Sequence, residues 1–208
     1  MAMTSKYVNF FIVLVFLRIC DLYLTYQITP DLSREWNPLV SYFNLSWQGF
    51  LGVQLLLVCI ALMAYHRYEQ RKRNPVDKPN LPPVRFAFYY LNGYEFSWRN
   101  WIESFLRLPN KQRFMKSSVF TGFVIAASCI LASLFAITHN LLILGEFPAY
   151  HKFIHFNNQL YLPSVYLTLV TTSCLTFFVI EYNKYKFSNK SQANRKAQTY
   201  LVGHSHVK

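Results

Sequence analysis

Four long apolar segments constrain this chain more than any other feature of its sequence. They cover about residues 8 to 28, 47 to 65, 118 to 144 and 160 to 180. A helix needs roughly 20 residues to cross the hydrocarbon core of a bilayer, and each segment is near or above that length. With 53% hydrophobic and only 14% charged residues, the chain is too apolar for an ordinary soluble domain. The sequence therefore predicts an all-α polytopic membrane protein with four transmembrane helices.

The basic residues predict how these helices are oriented. Lys6 precedes the first segment, eleven Lys and Arg lie in residues 67–116 and six lie in residues 184–208, whereas the two opposite loops hold only two. Cytoplasmic loops carry the excess of Lys and Arg in membrane proteins, so we expect both termini and the central loop in the cytoplasm. The formal charge of +12 is then mainly a topology signal, with contacts to anionic lipid headgroups of the bilayer. The sequence shows no folded basic module of the kind that binds nucleic acid. We therefore expect no nucleic-acid partner.

The same pattern divides the chain into four parts. We predict a transmembrane hairpin in residues 1–66, a basic cytoplasmic loop in 67–117, a second transmembrane hairpin in 118–182 and a mobile cytoplasmic tail in 183–208. The central loop begins with a charged, proline-rich connector, which favours extended backbone. The tail lacks the apolar pattern of a packed core.

Within the central loop, four apolar residues have the i, i+3, i+4, i+7 spacing of one helical face: Trp98, Trp101, Ile102 and Phe105. This spacing predicts an amphipathic helix that lies in the headgroup layer or docks on a partner protein. An aromatic belt that only anchors the protein at the membrane surface is favoured over a specific partner surface.

Three polar residues interrupt the first apolar segment. Arg18, Asp21 and Thr25 are three and four residues apart, so a helix places them on one face. Ionised groups are expensive in hydrocarbon, and this face should therefore point into the helix bundle. The cluster is interpreted either as a structural device that fixes helix packing or as a functional site. The spacing leaves open whether Arg18 pairs with Asp21 or extends away from it.

A Glu-x-Asn-Pro turn, formed by Glu35, Asn37 and Pro38, follows the first segment. Together with Asp21 and Thr25, it resembles a family of small prokaryotic membrane proteins, classed as a domain of unknown function. That family has a first-helix Asp-x-x-x-Thr, a following Glu-x-Asn-Pro and a second apolar helix. The resemblance covers about residues 8 to 65 and implies a prokaryotic cytoplasmic (inner) membrane, but no activity. It also implies that Asp21 and this turn belong to one site.

Histidines near the third segment form a candidate metal site. His139 lies toward the end of that segment, and His151 and His155 in the next loop are one helical turn apart, a spacing that lets two imidazoles bind one metal. With Asp21 or Glu35 as a carboxylate ligand, such a site would suit Zn, Cu or Fe. A proton or cation relay through Asp21 and His139 is the alternative if no metal binds.

No motif of a soluble enzyme is present: the sequence lacks GxSxG, HExxH, a P-loop and GxGxxG. We therefore expect a non-catalytic accessory or assembly subunit of a larger membrane complex, or a homo-oligomer. Two alternatives stay open. One is a metal-dependent membrane enzyme or metal-handling protein with its site at the outer face, and the other is a small proton or cation conduit through Arg18 and Asp21.

Overall fold

The structure is a computed structural model that describes residues 5–32, 40, 43–71, 81–94, 97, 99, 111–150, 152 and 158–205. Its regular elements are all α-helices: α1 (Ser5–Ile28), α2 (Trp47–Arg71), α3 (Pro83–Asn92), α4 (Lys111–Leu144) and α5 (Asn158–Ser205). No β-strand occurs among these residues. The predicted all-α class is confirmed.

Four of the helices are long and apolar enough to cross a membrane. The candidate spans are Ser5–Ile28, Trp47–Gln70, Lys116–Leu144 and Pro163–Ser191. Each contains one of the four apolar segments predicted from the sequence, or nearly all of it, so the number and placement of the spans are confirmed. The chain has the architecture of an integral membrane protein.

The chain forms two compact units. Unit 1 comprises Met1–Gln70 and Thr121–Ser173, and unit 2 comprises Arg71–Phe120 and Cys174–Lys208. Each unit therefore takes a part of α4 and a part of α5.

In unit 1, α1 and α2 form an antiparallel hairpin held by aromatic contacts at both ends. At the loop end, Tyr26 meets Trp47 edge to face, with ring centroids 5.6 Å apart. At the other end, Phe10 stacks on Tyr65 at 4.1 Å. Offset-stacked and edge-to-face pairs are the favoured aromatic geometries. These two contacts fix which residues of α1 and α2 lie at the same depth.

The loop end of this hairpin is closed by a small apolar cluster. The Trp47 indole donates a hydrogen bond to the carbonyl of Pro30. Leu32, Val40 and Phe50 pack together beside it. Leu32 adopts a left-handed backbone conformation with φ of 58°, which is uncommon for a residue other than glycine. Burial of its side chain in the cluster offsets that local cost.

Helix α4 packs closely on α2 through a glycine. A methyl group at Gly122 would lie 2.6 Å from the backbone carbonyl oxygen of Ala64. One turn on, Tyr68 and Phe123 meet edge to face at 5.2 Å. Small residues at helix interfaces allow such backbone approach in membrane bundles, where dispersion contacts replace the hydrophobic driving force.

In unit 2, the short helix α3 docks on α5. The Tyr185 hydroxyl accepts a hydrogen bond from the backbone N–H of Leu81 at 2.7 Å, and the Tyr182 hydroxyl donates to the carbonyl of Leu81 at 3.3 Å. Phe86 is buried against both tyrosines, with ring centroids 5.4 and 4.9 Å away. These contacts hold the start of α3 on the surface of α5.

Two helical segments were not predicted from the sequence. Residues 183–205, part of the predicted mobile tail, continue α5 as helix to Ser205. The described helix of the central loop is α3 at Pro83–Asn92, upstream of the amphipathic helix predicted around Trp98. Proline at its start and Gly93 with φ of 80° at its end set the limits of α3.

We expect Gly122→Ala to destabilise the protein by about 1–3 kcal/mol, because the new methyl group would meet a backbone carbonyl that cannot move aside cheaply. The matched control is Gly52→Ala in α2, where a methyl group would meet nothing within 4 Å. That change should stabilise the helix by roughly 0.5–1 kcal/mol. Thermal unfolding of the detergent-solubilised variants measures both. A Gly122→Ala variant as stable as Gly52→Ala would contradict this close packing.

Candidate functional site

The polar residues of α1 lie on its buried face. Asp21 is 7% exposed and Thr25 is 4% exposed, and Leu14 on the same face is fully buried. The Arg18 Nη1 atom lies 3.6 Å from Asp21 Oδ2. Arg18 therefore pairs with Asp21 along its own helix, which answers the question that the spacing left open. The pair is formally neutral, and this lowers the cost of burying both ions.

Asn140 of α4 joins this cluster to the rest of unit 1. Its side-chain Nδ2 donates to Thr25 Oγ1 at 3.2 Å and to Asp21 Oδ1 at 3.4 Å. The sequence places Asn140 in the third apolar segment, but gave no indication that it faces α1. The three residues Asp21, Thr25 and Asn140 form what we call the α1–α4 polar link.

Two polar atoms deeper in the bundle have no hydrogen-bond partner among the described residues. They are Arg18 Nε and Gln54 Oε1, and Gln54 is 5% exposed. Gln54 lies seven residues after Trp47, or about 10 Å along α2 at 1.5 Å per residue. The contact of Trp47 with Tyr26 therefore places Gln54 at about the depth of residue 19 in α1. A donor and an acceptor are thus buried at similar depth in unit 1.

Cys129 of α4 lies close enough to Arg18 for the guanidinium charge to act on its thiol. In the same region, Ser133 is fully buried and donates its hydroxyl to the carbonyl of Cys129 at 2.8 Å. In membrane helices, serine hydroxyls commonly donate a hydrogen bond to the backbone carbonyl of the preceding turn. The interior of unit 1 is therefore polar around Arg18.

A second hydrogen-bond network surrounds His139. Its imidazole Nδ1 shares a 2.6 Å hydrogen bond with the Tyr150 hydroxyl, which in turn lies 3.0 Å from the Tyr161 hydroxyl of α5. Phe135 stacks near the imidazole at 5.9 Å. Burial, followed by the hydrogen bond with Tyr161, raises the pKa of Tyr150 above its ordinary value. Tyr150 therefore keeps its proton at neutral pH and remains a hydrogen-bond donor.

The predicted metal site is only partly within the described chain. His139 is 9% exposed and its described hydrogen-bond partner is a tyrosine, whereas His151 and His155 lie outside the described residues. Within the described ranges, no group of three or more His, Cys, Asp and Glu could hold a metal ion. The site remains a prediction for the undescribed part of the loop.

Two other sets of predicted residues also lie outside the described chain. One is the turn of Glu35, Asn37 and Pro38, and the other is the amphipathic face of Trp98, Trp101, Ile102 and Phe105. Their predicted roles stay predictions. Two residues that the sequence prediction did not select, Gln54 and Tyr161, are also buried, and the Tyr161 ring lies 6.2 Å from the His139 ring. A lone glutamine at the centre of an apolar segment was the available signal for Gln54.

Part of the chain matches a known family. Residues 12–98 match a family described as a domain of unknown function, DUF5658. The match covers less than half of the chain and includes the Arg18–Asp21 pair. This match confirms that the chain resembles a family of unknown function. The Asp-x-x-x-Thr and Glu-x-Asn-Pro motifs and the prokaryotic origin remain predictions. No curated protein and no solved structure matches the chain.

We expect the hydrogen bond between Thr25 and Asn140 to couple the two helices by about 0.6 kcal/mol, with an upper limit near 1.7. A double-mutant cycle with Thr25→Val and Asn140→Leu, scored by unfolding in mixed detergent micelles, measures this coupling. The control cycle combines Thr25→Val with Thr138→Val, because Thr138 is exposed and donates to its own helix at Leu134. Equal coupling energies in the two cycles would show that the α1–α4 polar link does not hold these helices together.

Gln54→Leu tests whether the polar interior is dry. Because Gln54 Oε1 has no partner among the described residues, removing it should leave stability unchanged or raise it by up to about 1–3 kcal/mol. Gln48→Leu, an exposed position on the same helix, is the control for the added apolar surface. If Gln54→Leu lowers the melting temperature below that of the control, the carbonyl accepts a hydrogen bond from a group such as bound water.

Proposed function

We propose that the protein is a non-catalytic accessory or assembly subunit of a larger membrane complex. The observation that supports this function is that polar groups of the membrane spans bond to one another inside unit 1. Asp21 is paired with Arg18 and bonded by Asn140 within unit 1. Polar groups that bond to each other between helices stabilise the bundle, because each such hydrogen bond replaces an unsatisfied polar group in the membrane. A stable bundle of this kind can act as a scaffold.

The outer faces of the spans supply the surface for such a role. Large apolar side chains are exposed on every candidate span; examples are Phe16 on α1, Leu55 on α2, Leu134 on α4 and Leu167 on α5. Lipid covers this kind of surface in an isolated bundle, and partner helices cover part of it in a complex. The proposed membrane is the cytoplasmic membrane of a prokaryote, with both termini inside, on the basis of the charge distribution and the resemblance.

A photo-crosslinking amino acid at each of Phe16, Leu55, Leu134 and Leu167 tests this function in the native membrane. We expect a defined protein adduct at one or two of these positions and lipid adducts at the others. The same probe at the fully buried Leu14 is the control and should give no adduct with another chain. Lipid adducts alone at all four exposed positions would contradict an accessory or assembly role.

A proton or cation conduit is the second candidate, and one specific observation favours it. Arg18 Nε and Gln54 Oε1 are a buried donor and a buried acceptor without partners among the described residues. A conduit needs water along a polar path, and such atoms are the groups that buried water satisfies. The Gln54→Leu measurement above distinguishes a hydrated path from a dry interior.

A further inference from the structure

The net charge of the protein is confined to one of its two units. Sixteen of the 21 basic residues and four of the nine acidic residues fall within unit 2, which therefore carries a formal charge of +12. Unit 1 holds five of each sign and is formally neutral. A charge surplus concentrated in one compact unit produces a strong local potential that attracts anions.

Three exposed cations of unit 2 have no carboxylate partner among the described residues: Arg85 on α3, and Lys186 and Lys190 on α5. Lys184 on the same helix differs, because its ammonium is paired with Glu181. Because these three side chains are exposed, an external anion can reach them. We call them the basic face of unit 2.

An aromatic side chain connects the two parts of this face. Tyr182, Lys186 and Lys190 are spaced by four residues, so they share one side of α5. The Lys186 ammonium lies 5.7 Å from the centre of the Tyr182 ring. The same ring packs edge to face against Phe86, the neighbour of Arg85, at 5.4 Å. The docking of α3 on α5 thus brings Arg85 to the helix that carries both lysines.

The position of the basic face along the membrane span indicates which anion it meets. Lys186 and Lys190 lie in the last turns of the candidate span Pro163–Ser191. Tyrosine together with Lys and Arg at the end of a span is typical of the headgroup layer, where aromatic rings and cations contact the lipid polar groups. The anions present at this depth are lipid phosphates.

We propose that Arg85, Lys186 and Lys190 bind the phosphate groups of anionic phospholipids. Arginine contributes a planar fork that suits phosphate oxygens, and the lysines contribute point charges. A basic residue near an anionic membrane surface strengthens binding by roughly fivefold. Three such residues give a preference for anionic over zwitterionic lipid that depends on salt.

The test measures lipid selection by the full-length protein. The protein is exchanged into mixed micelles of equal phosphatidylglycerol and phosphatidylcholine, separated from free lipid, and its bound lipids are quantified by mass spectrometry. We expect phosphatidylglycerol to be enriched for the wild type, and the enrichment to fall by about threefold or more in the Arg85→Gln, Lys186→Gln, Lys190→Gln variant. Raising the salt concentration to 0.5 M should reduce the wild-type enrichment.

The control variant removes the same charge from unit 1. Lys6→Gln, Arg67→Gln and Lys152→Gln alter three exposed basic residues and should lower the enrichment less than the unit 2 variant does, because unit 1 is formally neutral. A Lys186→Arg, Lys190→Arg variant keeps the charge and should also keep the enrichment. Equal losses in the two triple variants would overturn the proposal, because they would reflect total charge alone. Equal binding of both lipids by the wild type would overturn it as well.

Discussion

The need to satisfy polar groups inside an apolar bundle shapes the whole of unit 1. Asp21 cannot lie in hydrocarbon without partners, because an isolated buried carboxylate is far more costly than a paired one. Its partners come from two places: Arg18 on the same helix and Asn140 on α4. The first makes the cluster neutral, and the second requires α1 and α4 to be neighbours. The register of these two helices is therefore tied to the hydrogen bonds of Asn140 with Asp21 and Thr25.

Packing details of the bundle depend on that register. With α1 beside α4, the approach of α4 to α2 is set by Gly122, whose missing side chain admits the Ala64 carbonyl. Arg18 then lies near enough to Cys129 for its charge to act on the thiol, and Gln54 lies at similar depth on α2. The interior is thus polar at its centre and aromatic at its ends. This arrangement supports a scaffold function, and Arg18 Nε and Gln54 Oε1, which have no partner among the described residues, are the atoms that a conduit would use.

Aromatic packing organises unit 2: Phe86 is buried against Tyr182 and Tyr185. This unit also carries the entire charge surplus of the protein. Helix α3 could have been predicted from its own sequence, since a proline at its first position and Asn92-Gly93 at its end are ordinary start and stop signals. The prediction selected only the aromatic periodicity of Trp98 and Phe105 further along the loop, which lies outside the described residues. The helical continuation of α5 to Ser205 was not predicted, because this segment lacks the regular apolar pattern of a packed helix.

The sequence by itself determined the fold class, the four spans and the shared face of Arg18, Asp21 and Thr25. These follow from local hydropathy and from helical periodicity, which act within one segment. Only the tertiary structure decided that Asn140 bonds to Asp21 and Thr25, that His139 meets Tyr150 and Tyr161, and that Gln54 lies level with Arg18. These contacts join residues of different helices, and no local pattern specifies which faces of two helices meet.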